Sequence, residues 1–87
     1  MSNLDFVQSL KDYVEKTTKE FMDHYGLVDR FPVIQQKANN ALMDKSVSEH
    51  FNEFTNGAVD AVAAETGQSK DEVMEAFSKY YYSGKFD

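Results

Sequence analysis

The sequence predicts an all-α fold, a compact bundle of about four helices with short connections, forming one domain over residues 1–87. Three observations carry that prediction. Apolar residues recur at steps of three and four through most of the chain, the spacing that places them on one side of an α-helix. Two Ser-x-x-Glu boxes, Ser46 with Glu49 and Ser69 with Glu72, mark helix starts. Gly26, Pro32, Gly67 and Gly84 punctuate the periodic runs. No alternating strand pattern, internal repeat, low-complexity tract or long linker interrupts this reading.

The first helix is predicted over residues 3–25. Val7, Leu10, Val14, Phe21 and Tyr25 form its apolar side, with Thr17 or Thr18 filling the gap. Ser2 or Asn3 caps the start, and Gly26 ends it in a left-handed conformation. Asp12 with Lys16 and Glu15 with Lys19 are acid-before-base pairs that suit an exposed face. A second, shorter helix is predicted over residues 32–44, burying Ile34, Ala38, Ala41 and Leu42. Pro32 restricts Phe31 to extended conformations and itself suits a first helical turn. Asn39 and Asn40 weaken this segment, so tertiary packing must hold it.

The third helix is predicted over residues 47–66. Val47, Phe51, Phe54, Ala58, Ala61 or Val62, and Glu65 continue one stripe. Gly57 falls inside it, at about 1 kcal/mol relative to alanine. The register survives across that glycine, so the expectation is one helix with a soft spot or kink, against a break at Asn56–Gly57. Gly67 ends this helix. The last is predicted over residues 70–83, burying Val73, Ala76, Phe77 and Tyr80 and stopping at Gly84.

Composition narrows the function classes. A chain of 87 residues, 41% of them apolar, folds around a small core with a thin stability margin. The absence of cysteine removes disulfide frameworks and thiolate metal sites. The N-terminus lacks the basic-then-apolar pattern of a signal peptide, and no stretch approaches the roughly 20 apolar residues that cross a bilayer. The expectation is an intracellular, cytoplasmic protein that does not use a membrane. A net charge of −6, from fifteen acids and nine bases, disfavours a broad phosphate-binding surface. Solubility is the plainest use of that charge.

The stretch "VDAVAAETGQSKDEVMEAF" resembles a helix-turn-helix unit. Ala63 stands four before Gly67 at the turn and Val73 stands six after it, spacing that lets two helices cross closely. Gln68, just after the glycine, is polar where that motif is commonly apolar. The second helix would present Ser69, Lys70, Asp71, Glu72 and Glu75, three carboxylates against one ammonium. From Val59 onward there are six acids and three lysines, so neighbouring residues do not repair the balance. A structural corner is therefore the better reading, and direct nucleic-acid binding is the alternative.

No residue pattern points to catalysis, a metal or a cofactor. His24 and His50 are preceded three residues earlier by Phe21 and Val47, so the Glu-x-x-His pattern of di-iron bundles is absent. Phosphate loops, nucleophile elbows and His-Glu-x-x-His motifs are missing too. A chain this short also leaves little room for a pocket of several hundred cubic ångströms. The expectation is a protein that is not an enzyme.

The segment "KYYYSGKF" carries the most unusual local chemistry. Successive helical residues are about 100° apart, so Tyr80, Tyr81 and Tyr82 do not share one face. Tyr80 continues the core stripe, Tyr81 lies on the Met74 flank, and Tyr82 shares a side with Glu75. Phe86 is placed beside the exposed ring. The expected function is that of a small acidic interaction module, a regulator or inhibitor that binds a basic surface of a partner protein, including one that acts on nucleic acid. The candidate partner-binding residues are Asp71, Glu72, Glu75, Tyr81, Tyr82 and Phe86. A self-assembling structural component is a further alternative, since association would relieve the small core.

Overall fold

Residues 3–40 and 46–86 are described by the computed structural model, with side chains described over 5–38 and 46–86. Among them, four α-helices follow in order: α1 Asn3–His24, α2 Phe31–Asn40, α3 Val47–Thr66 and α4 Lys70–Ser83. A 3-10 turn, Val28–Arg30, links α1 to α2. No helix among the described residues is long and apolar enough to cross a membrane.

The helix ends follow the local chemistry. Gly26 adopts φ 72°, and α1 closes with Leu27 N–H on the Met22 carbonyl at 2.9 Å and Gly26 N–H on the Asp23 carbonyl at 3.0 Å. This paired closure satisfies carbonyls that the helix itself leaves open, and Met22 and Leu27 are both buried. Ser46 Oγ accepts from the Glu49 amide at 3.2 Å, and Ser69 Oγ from the Glu72 amide at 3.1 Å. Gly67 and Gly84, both left-handed, close α3 and α4 through single bonds to the Ala63 and Tyr80 carbonyls.

Both threonines of the first helix are buried, where the spacing required one. Thr17 and Thr18 return their hydroxyls to the Tyr13 and Val14 carbonyls at 2.5 and 2.7 Å, which makes burial of the group affordable.

Two expectations about α2 change. Phe31 is not extended: it sits at φ −61°, ψ −42° and is the first residue of the helix. Its ring is buried and stacks on Phe54 at 5.9 Å, so core packing outweighs the steric preference for an extended residue before proline. Pro32 still falls in the first turn, where its missing N–H costs nothing. Ala41 and Leu42 lie outside the described residues.

α3 runs unbroken across Gly57. A Cβ built there would lie 2.9 to 3.1 Å from three carbons of the Ile34 side chain. Gly57 is thus a socket that lets α2 approach α3, a role that periodicity alone did not reveal. Within the stripe, Val62 is fully buried and Ala61 half-buried, and Val59 and Thr55 join the core.

α3 packs against each of the other three helices. α1 and α4 run antiparallel, with Tyr13 beside Tyr81 at one level and Phe21 beside Phe77 at another. Phe21, Phe54, Phe77, Met22, Val14, Val62 and Val73 fill the centre. Burial of each such side chain stabilises the fold by about 1.5–3 kcal/mol. The radius of gyration, 12.9 Å, slightly exceeds the roughly 12 Å expected for a compact chain of this length. The 22-residue α1, about 33 Å long by its rise per residue, accounts for that elongation.

Candidate interaction surface on the last helix

α4 buries Val73, Phe77 and Tyr80, which fixes what the opposite side displays. Asp71, Glu72 and Glu75 are all exposed there. Asp71 and Glu72 occupy the first turn, where the helix dipole favours negative charge. Glu75 pairs with Lys79 at 3.5 Å, and Lys70 at the start of the helix reaches Asp60 on α3 at 3.0 Å. Such exposed pairs contribute only about 0–1 kcal/mol, so they barely constrain the surface. At 100° per residue, Asp71, Glu75 and Tyr82 fall almost in line along the helix.

The three tyrosines separate as their spacing predicts. Tyr80 is buried, and its hydroxyl donates to Glu20 Oε2 at 2.6 Å. That hydrogen bond, aided by burial and by the negative charge of Glu20, pushes the Tyr80 phenol up to about 12. Tyr81 is half-buried against Phe51 at 5.0 Å and Tyr13 at 5.2 Å, and its carbonyl accepts from the Tyr13 hydroxyl at 2.7 Å. Burial pushes the Tyr81 phenol up as well. Tyr82 is 82% exposed and meets Tyr81 edge-on at 5.1 Å.

Phe86 is not beside Tyr82. Its half-buried ring stacks on His24 at 3.6 Å and on Tyr80 at 4.3 Å, reaching Phe21 at 5.8 Å. The left-handed Gly84 turns the chain back over the end of α1, and apolar contact there places the ring. The six candidate residues therefore divide: an acidic face of Asp71, Glu72 and Glu75, an aromatic end of Tyr81 and Tyr82, and Phe86 packed elsewhere.

The aromatic end borders an open surface feature, which differs from the ligand pocket for which a chain this short leaves little room. An open groove of about 360 Å³ runs between the start of α3 and the end of α4, lined by Val47, Ser48, Phe51, Asn52, Tyr81 and Tyr82. It lies on the surface, which is how a small bundle accommodates it. Ser48 and Asn52 carry no sequence signal for such a role, because the groove exists only where α3 and α4 meet.

His24 is exposed beneath Phe86, and His50 is half-buried near Phe54. Among the described residues, no three His, Asp or Glu side chains converge in a way that could hold a metal. Comparison of the chain with protein-family models, curated proteins and solved structures finds no match.

Proposed function

We propose that this chain is a small acidic interaction module, a regulator or inhibitor that occupies a basic surface of a partner protein, including a surface that otherwise holds nucleic acid. The observation that supports this reading is the outward face of α4, where Asp71, Glu72 and Glu75 all reach solvent. Opposed charges steer association and select partners, and a chain of net charge −6 adds a long-range field of the same sign. The same face opposes the helix-turn-helix alternative, because a helix presenting carboxylates repels a phosphate backbone. The chain is proposed to act by binding rather than by catalysis.

The test compares capture of partners by wild type and by an Asp71→Lys, Glu75→Lys double variant. Both positions are exposed, so the fold should persist, which circular dichroism checks. The variant is expected to lose at least about tenfold in affinity, and wild-type binding should weaken as salt rises. Equal recovery of every partner by both forms would discard the acidic face. A second reading, self-assembly, draws on the aromatic groove instead.

A further inference from the structure

We infer that the groove between the start of α3 and the end of α4 seats the Tyr82 ring of a second copy of this chain, forming a two-fold symmetric dimer. The inference is independent of the basic-partner reading and concerns a different part of α4.

Charge is the first argument. A copy carrying −6 repels another copy over most of its surface, yet none of the six described residues that line the groove is charged. Two such chains that meet through this patch set no like charges from its described lining against each other. Helix ends supply the second argument. Val47 and Ser48 stand in the first turn of α3, whose amides form the positive end of that helix. Tyr81 and Tyr82 stand in the last turn of α4, whose carbonyls form a negative end. A two-fold axis through the groove sets the positive end of one copy against the negative end of the other, twice. The groove is thus complementary to itself, which is what an isologous contact requires.

The third argument is the ring. Tyr82 is 82% exposed at the lip of a groove whose walls include Phe51 and Tyr81. Tyrosine is a frequent anchor of protein contacts, because its ring packs while its hydroxyl finds a partner. Ser48 and Asn52 offer the polar atoms for that hydroxyl. A contact centred on six described residues is small beside the roughly 20–30 per side of a standard interface, so a weak dimer is expected, with dissociation in the micromolar range. Asp71 and Glu75 lie eleven and seven residues before Tyr82, about 16 and about 10 Å along the helix, so the carboxylates stand beyond the six described residues that line the groove.

Sedimentation equilibrium of the full chain, from about 10 to about 500 µM, tests this directly. A concentration-dependent monomer–dimer equilibrium is expected. It should tighten between about 50 and about 500 mM salt, because salt screens the repulsion between like-charged copies. Tyr82→Ala should weaken it by at least about tenfold, and Asn52→Glu, which puts like charges across the axis, by as much or more. Val33→Ala, at a 69% exposed position on α2, should leave it unchanged. A monomer at every concentration and salt would overturn the inference. So would a dimer indifferent to Tyr82→Ala and Asn52→Glu, or one that Val33→Ala disrupts. Loss of the dimer leaves the double-lysine capture test unaffected, so the two readings fail separately.

Discussion

Where α2 meets α3, the helices approach through missing volume: Ile34 rests where a side chain at residue 57 would begin. Where α1 meets α4, they are joined by rings. Phe21 touches Phe77 and Tyr25 at 5.1 Å, and Tyr80 and Phe86 extend the cluster to His24. The aromatic seam also carries polar tips at its margin, Tyr80 to Glu20 and Tyr13 to the Tyr81 carbonyl. The contrast is instructive. A close-approach seam depends on what is absent and tolerates no growth, whereas an aromatic seam depends on volume and tolerates the loss of a hydroxyl far better than the loss of a ring.

The largest expected effect tests the volume half of that contrast. Phe21→Ala should cost about 3–5 kcal/mol by denaturant unfolding, a large share of what a domain this size holds. A loss below about 1 kcal/mol would show that the rings do not carry the seam.

Gly57→Ala tests the other half and is expected to cost about 1–2 kcal/mol, although helix propensity alone would stabilise α3 by about 1 kcal/mol. In an Ile34→Ala background the same substitution should turn neutral or stabilising, since the displaced side chain is gone. A double-mutant cycle measures the coupling, and a coupling near zero would remove the socket.

The smallest effect belongs to Tyr80→Phe, at about 1 kcal/mol near neutral pH, because the ring remains and only the bond to Glu20 is lost. Its signature is the pH profile. The bond to the Glu20 carboxylate and burial favour the neutral phenol, raising it from 10.0 to about 12 in the folded chain. That contribution is fully present below pH 10.0 and is lost as pH rises through about 12. Thermal melts across that window should fall more steeply for wild type than for Tyr80→Phe. Parallel profiles would place the stabilisation elsewhere.

The exposure of the acidic face and of Tyr82 is legible in the sequence. Val73, Phe77 and Tyr80 define the buried side of α4, and counting 100° from them puts Asp71, Glu75 and Tyr82 outside. Phe86 was misplaced because it follows Gly84, beyond the reach of helical arithmetic. The groove was invisible for a related reason: Val47 and Phe51 read as members of a core stripe, and only the partner helix decides how completely they are covered.

From the sequence alone came the four helices, their capping serines, the glycines that end them, and the side each turns inward. These rest on interactions between residues within about four positions of one another, so neighbouring letters suffice to specify them. Tertiary structure decided that Phe31 is helical, that Gly57 receives Ile34, that Phe86 folds onto His24, and that α3 and α4 border an open groove whose described lining is uncharged. Each depends on which surfaces meet across the bundle, and there the gain from packing large apolar groups exceeds the weaker local preferences that a single strand of sequence records.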